Sequence, residues 1–148
     1  MKQLLTIILV LLLGNVFAQL NTTTFDKLDS LQAIEKKPVY VFIHTTWCNI
    51  CLMMEETTLK DKEIVNRLNS HFYVILFDAE TESTITFLEK SYSNPINKTH
   101  ELALFLTNNQ TVYPTSCFLK SNLEIVIKKE GLLKKAALLE TINMLLNY

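Results

Sequence analysis

A Cys-x-x-Cys pair within Trp47-Cys48-Asn49-Ile50-Cys51 follows closely on Val39-Tyr40-Val41-Phe42-Ile43, a continuous apolar run rich in β-branched and aromatic side chains. Such a run predicts a strand covered on both faces of a sheet. From Cys51 to Leu68 the apolar positions Met54, Leu59, Ile64, Val65 and Leu68 recur at helical spacing, so the pair marks the point where strand gives way to helix. That placement constrains fold and chemistry together. Sulfurs one helical turn apart can close a disulfide with little backbone movement. Cys48 would stand at the helix N-terminus, where unpaired N–H groups and the helix dipole favour negative charge, so its thiolate is the expected nucleophile. Cys51, deeper in the helix and more shielded, is the expected resolving thiol.

The rest of the chain supplies the partners such a strand needs. Phe72 to Phe77 is a second apolar run, and strand, helix, strand in that order predicts a crossover and a parallel pair. Upstream, Phe25, Leu28, Leu31, Ala33 and Ile34 predict a helix over 25–36 with Thr24 as its N-cap, ended by Lys36-Lys37-Pro38. Asp61 is the expected cap of a second piece of the central helical stretch. Ile85 and Phe87 suggest a short edge strand within 84–92, and Ser93-Asn94-Pro95 a turn. A short helix runs from Thr99, its expected cap, to Leu106, with Glu101 in its first turn. Beyond Tyr113-Pro114, the segments 115–120 and 123–128 pattern as an antiparallel hairpin. Gly131 breaks it, and apolar residues at 133, 137, 138, 142 and 145 predict a C-terminal amphipathic helix over 132–146.

Length and charge narrow the function classes. With 148 residues, 49% of them apolar, the chain supports one globular domain. Fourteen basic and fifteen acidic residues are spread along it, which offers no patch for nucleic acid or an anionic membrane surface. The first eighteen residues differ: Lys2 supplies positive charge, Leu4 to Leu13 is apolar but for Thr6, and Val16-Phe17-Ala18 ends on a small residue. This is the pattern of a secretory signal peptide over 1–18, leaving a periplasmic or secreted domain over 19–148. The apolar run falls short of the roughly 20 residues that cross a bilayer, so no membrane insertion of the mature chain is expected. Disulfides persist outside the cytoplasm, and cysteines at 48, 51 and 117 alone are too few for a stapled scaffold.

Val39 to Ile43, Trp47-Cys48-Asn49-Ile50-Cys51, Tyr113-Pro114-Thr115, Gly131 and the final helix, taken in order over roughly residues 25 to 148, resemble the thioredoxin superfamily. The resemblance implies an α/β thioredoxin-like fold, with a central mixed sheet of about four to five strands flanked by helices. It implies a thiol-disulfide oxidoreductase that needs no cofactor and acts on protein substrates with disulfides or thiols. It also implies a cis Pro114 lying against the redox pair, with the Tyr113 backbone pairing with bound polypeptide. Trp47 is expected to cover the disulfide and offer partners an apolar platform. Within the superfamily, Lys37-Pro38, Glu55, Phe72 and His100-Glu101-Leu102-Ala103 are most similar to the branch containing the periplasmic domain of the membrane disulfide reductase, which implies an upstream membrane-bound electron donor.

One departure bears on proton transfer. The buried aspartate that thioredoxin carries five residues before the tryptophan is Phe42 here, which cannot move protons. Glu55, four residues after Cys51, lies one helical turn further on the same face, where that branch often has an acid, and is expected to take or return the Cys51 proton. Asn49-Ile50 lacks the histidine of strongly oxidising relatives, which tilts the expectation towards reduction or isomerisation. His44, four residues before the pair, reads as a strand-end histidine satisfied by backbone, with tuning of the site as the alternative, and Cys117 as a core residue rather than a third redox group. Two alternatives stand beside this reading. A zinc site would have to complete its ligands from Cys117, His44, His71 and His100, and no metal is expected. A non-enzymatic binding module would keep the fold with a structural disulfide, and Trp47 with Tyr113-Pro114-Thr115 argues against it.

Overall fold

The computed structural model describes residues 19–95 and 98–147, so the apolar leader at 1–18 lies outside the described residues. A 3-10 turn, Phe25–Lys27, leads into α1, Leu28–Ile34. Then come β1, Val39–His44, and α2, Asn49–Glu56, followed by a second 3-10 turn, Thr58–Lys60. Next are α3, Lys62–His71, β2, Tyr73–Asp78, β3, Ile85–Phe87, β4, Lys90–Tyr92, and α4, Glu101–Thr107. The chain closes with β5, Thr115–Leu119, β6, Ile125–Glu130, and α5, Lys135–Leu146. Four strands form a mixed sheet in the order β2-β1-β5-β6, with β1 and β2 parallel and the other neighbours antiparallel. The expected mixed sheet is thus present, with four strands.

β1 is central, and every residue from Val39 to Ile43 is fully buried. Because side chains alternate along a strand, the run feeds two cores. Val39, Val41 and Ile43 join Phe25, Leu28, Phe77, Leu102 and Leu106 on one face. Tyr40 and Phe42 join Met54, Ile64, Leu68, Leu138 and Ile142 on the other, together with Cys48 and Cys51. The continuity of the apolar run follows from this double burial. Asp61 caps α3 as its position predicts, its Oδ1 accepting the N–H of Glu63 at 3.0 Å and of Ile64 at 3.3 Å. Lys135, at the start of α5, reaches both Asp61 at 3.1 Å and Glu63 at 3.0 Å, which pins the last helix beside α3.

Four local expectations are corrected. Thr24 gives no side-chain cap, because the chain enters α1 through a 3-10 turn closed by the Thr24 carbonyl accepting from Lys27 N–H. The buried face of the turn and α1 is Phe25, Leu28 and Gln32, and Ile34 is 83% exposed. The Gln32 amide faces inward because it brackets Lys37, donating to its carbonyl at 2.6 Å and accepting its N–H at 3.1 Å. The expected edge strand at 84–92 is instead a separate two-stranded hairpin, β3 with β4, turning at Leu88 and Glu89 in the left-handed region with φ of 51° and 59°. The cap of α4 is His100 rather than Thr99. Its Nδ1 accepts the Leu102 N–H at 3.1 Å and its Nε2 lies 2.9 Å from the Ser83 carbonyl, so the buried imidazole is satisfied at both nitrogens.

The C-terminal helix starts at Lys135, three residues later than its periodicity predicts. Leu133 precedes it and docks on the neighbouring elements, its carbonyl accepting from Thr58 Oγ1 at 2.8 Å and its N–H facing Met54 Sδ at 3.4 Å. That anchor, with the Lys135 ion pairs, sets where α5 begins. Within α5 the inner face is Leu138, Thr141 and Ile142, while Ala137 is exposed.

Candidate active site

β1 delivers the chain to the site and α2 carries it away. Cys48 is the N-cap of α2, with an extended backbone, and its Sγ accepts the Cys51 N–H at 3.1 Å. One otherwise unpaired helix-end donor is therefore aimed at sulfur. Two further backbone bonds fix the turn, Cys48 N–H to the Thr45 carbonyl at 3.2 Å and Leu52 N–H to the Cys48 carbonyl at 3.1 Å. Cys48 and Cys51 are joined as a disulfide, their Cα atoms 5.2 Å apart. Cys48 is 8% exposed and Cys51 1%. Cys48 is thus the more accessible of the two to an incoming thiol.

Trp47 stands beside the pair, 64% exposed, and two loops hold it in place. Its Nε1 donates to both carboxylate oxygens of Glu80 at 3.0 Å, and its ring meets Tyr113 edge-on at 6.2 Å between centroids. Glu80 is itself fixed: its N–H donates to Asp78 Oδ1 at 3.0 Å, and its carbonyl accepts from Asn94 Nδ2 at 3.0 Å. The Tyr113-Pro114 peptide is cis, and the Pro114 carbonyl accepts the Gly131 N–H at 2.7 Å. Tyr113 packs against the cluster that contains both sulfurs. The structure thus gathers Cys48, Cys51, Trp47 and Tyr113 in one place. Ile50, half exposed between the cysteines, and Val112, 41% exposed before Tyr113, extend the apolar surface.

Glu55 lies one turn beyond Cys51 on α2, with Oε1 3.7 Å from His44 Nδ1. Both side chains are partly buried, and the His44 ring is stacked on Phe42 at 5.8 Å. Reading the sequence missed one contributor here, and its expectation that backbone satisfies the His44 ring is corrected, since the imidazole faces Glu55. Glu80 carries no local signal, since it sits in the least patterned stretch of the chain. His44 had one, four residues before Cys48 at a strand end, but its tie to Glu55 needs the tertiary fold. Cys117 lies on the opposite face of the sheet, fully buried, with its Sγ 3.5 Å from the Leu106 carbonyl. Burial pushes its thiol up to about 12, offset only in part by the Lys128 ammonium.

The profile of the thioredoxin-like domain family matches residues 25–145. Among solved structures, a thioredoxin from Thermus thermophilus superposes with a TM-score of 0.65 at 18% identity, over 86% of this chain and 88% of that one. The oxidoreductase DsbH gives 0.60 at 16% identity, over 87% and 85%. A disulphide isomerase from Xylella fastidiosa Temecula1 gives 0.58 at 13% identity, over 82% and 86%. At such identities these likenesses speak for the fold. No curated protein sequence matches the chain significantly. The family profile spans nearly the whole described domain and the strand-to-helix junction carries a Cys48–Cys51 disulfide, which supports a thiol-disulfide oxidoreductase: the chain belongs to the thioredoxin-like domain family.

Proposed function

We propose that this protein is an exported thiol-disulfide oxidoreductase that reduces or isomerises disulfides in exported proteins by cycling Cys48 and Cys51 between dithiol and disulfide. The observation that carries the reading is the asymmetry of the pair. Cys48 is reachable and caps a helix, whereas Cys51 is sealed one turn deeper. In the reducing direction the Cys48 thiolate attacks a substrate disulfide, forming a mixed disulfide and expelling one substrate thiolate. Cys51 then loses its proton to Glu55 and attacks Cys48 Sγ, expelling the second thiolate and closing the Cys48–Cys51 bond. Trp47 and Tyr113, with Pro114, form the face on which the substrate backbone and the apolar flanks of its cysteine rest.

The pattern at residues 1–18 supports removal of a signal peptide and a periplasmic or secreted location, and no described helix is long and apolar enough to cross a membrane. A protein that works in an oxidising compartment needs a supply of electrons to reduce anything there. A membrane-bound dithiol donor upstream fits that need.

The test is the reduction potential of the Cys48–Cys51 pair, measured against glutathione, together with trapping by Cys51→Ser. A value near thioredoxin's, about −270 mV, is expected, with Cys51→Ser accumulating a mixed disulfide through Cys48. A value near the strong oxidants', about −120 mV, would replace reduction by oxidation in this account. A pair that exchanges with no thiol reagent would leave only a structural disulfide.

A further inference from the structure

The Cys51 thiol must give up a proton to become a nucleophile, yet Cys51 is only 1% exposed, so bulk water does not reach it. An internal acceptor is required. β1 presents Tyr40, Phe42 and His44 to the α2 side of the sheet, and of the first two the tyrosine has its hydroxyl occupied by Ser116 at 3.0 Å while the phenylalanine carries no proton. On α2, Glu55 is the acid one turn from Cys51, and Glu56 is turned away into an ion pair with Lys60. Glu55 in turn faces His44, 3.7 Å from Oε1 to Nδ1, with 20% of the imidazole and 30% of the carboxylate side chain exposed. That separation is too long for a hydrogen bond and suits an ion pair, or a hydrogen bond after a small rotation. Glu55 also lines an open groove of about 570 Å³, with Leu59, Lys60 and Leu76 among its walls, so the acid touches the protein interior on one side and solvent on the other.

We propose that His44 is the positioning residue of this proton transfer, acting through Glu55: the two form an acid–base couple that accepts the Cys51 proton and passes it to the groove. The inference rests on the thiol-exchange reading above. In the mixed disulfide, Cys51 Sγ–H transfers its proton to the Glu55 carboxylate, which hands it to the His44 imidazole; the imidazolium pairs with the restored carboxylate until the proton leaves to solvent in the groove. The Cys51 thiolate then forms the S–S bond to Cys48 while the Cys48–substrate S–S bond breaks. The electron pair leaves on the substrate sulfur, which is reprotonated from solvent. The dithiol loses two electrons, the substrate disulfide gains them, and His44 and Glu55 end unchanged. Four other charged groups stand near the couple. Asp78 lies beside His44 across the β1–β2 ladder with its carboxylate accepting the Glu80 N–H, Glu56 and Lys60 neutralise each other at the groove, and Lys62 lines the same groove.

The experiment follows the reduced full-length protein by stopped flow with a short peptide disulfide that carries a fluorophore and a quencher on its two halves. Attack by Cys48 releases the first half and resolution by Cys51 the second, and Cys51→Ser shows the first phase alone. His44→Ala and His44→Gln are expected to slow the second phase about tenfold and to remove the inflection from its pH profile, leaving the first phase unchanged. His44→Gln guards against a packing defect, since it fills the site and cannot take a proton. Wild-type resolution with its inflection in His44→Gln, or equal slowing of both phases in the two variants, overturns the proposal. Absence of both phases in the unaltered protein would instead sink the thiol-exchange reading beneath it.

Discussion

The indole N–H of Trp47 donates to both oxygens of the Glu80 carboxylate at 3.0 Å, which ties down a largely exposed ring next to Cys48. The bond joins the turn after β1 to the loop after β2. The position of the platform therefore depends on a residue that does not belong to it. Glu80→Ala should leave reactions with small disulfides unchanged while raising KM for a protein disulfide about fivefold, the equivalent of ~1 kcal/mol lost in holding the indole. Intrinsic tryptophan fluorescence reports the freed ring. An unaltered KM together with an unaltered emission spectrum would show that Tyr113 alone fixes Trp47.

Cys117 should behave as a hydrocarbon in the native state. With the protein reduced, iodoacetamide should modify Cys48 in the native state, reach the shielded Cys51 far more slowly, and reach Cys117 only after denaturation, as counted by mass spectrometry. Its titration also has a stability consequence. Because burial raises the folded thiol to about 12 from 9.0, the unfolded chain ionises first. Its contribution is complete below pH 9 and is lost as pH climbs towards 12. The denaturant midpoint should fall with pH across that range in the parent and fall less in Cys117→Ala.

Asp61 titrates in the opposite sense. Desolvation pushes its carboxyl up, but the Lys135 ammonium and the N–H groups of Ile64 and Glu63 outweigh it and hold the group below the usual carboxylate range. A depressed folded value adds stability above the unfolded value, and that stability disappears as pH falls through the folded one. Asp61→Ala should cost about 1 kcal/mol at neutral pH, and Asp61→Asn less, since the amide oxygen still caps. Urea midpoints at neutral pH and under acid should converge between parent and variants. A constant difference at both would mean that packing, and not charge, is what Asp61 supplies.

How far the chain could be read in advance varied with the kind of signal. β1 and the helical stretch with Met54, Leu59, Ile64, Val65 and Leu68 were legible because each depends on one periodicity and ends in buried residues. Asp61 was legible because a cap acts over three residues. The 84–92 hairpin was not, since its turn places Leu88 and Glu89 where glycine or asparagine is usual, and so it carries none of the residues that announce such a turn. His100 as a cap was hidden for a similar reason: it takes the place of the usual Ser, Thr, Asp or Asn, and needs Ser83 from a distant segment to satisfy its second nitrogen. At the site, the cysteines and Tyr113-Pro114 were visible as motifs. Glu80 and the His44–Glu55 couple are products of folding, since β1 and β2 must pair before Trp47 can meet Glu80, and α2 must pack on β1 before Glu55 can meet His44.

The sheet also acts as a partition. Three sulfurs allow three ways to make one bridge, and a chain oxidised outside the cytoplasm could be caught in a wrong one. Here Cys117 points into one core while Cys48 and Cys51 belong to the other, with β1 between them. Once β1 and β5 have paired, two of the three isomers are sterically closed. The backbone itself then proofreads which cysteines may join.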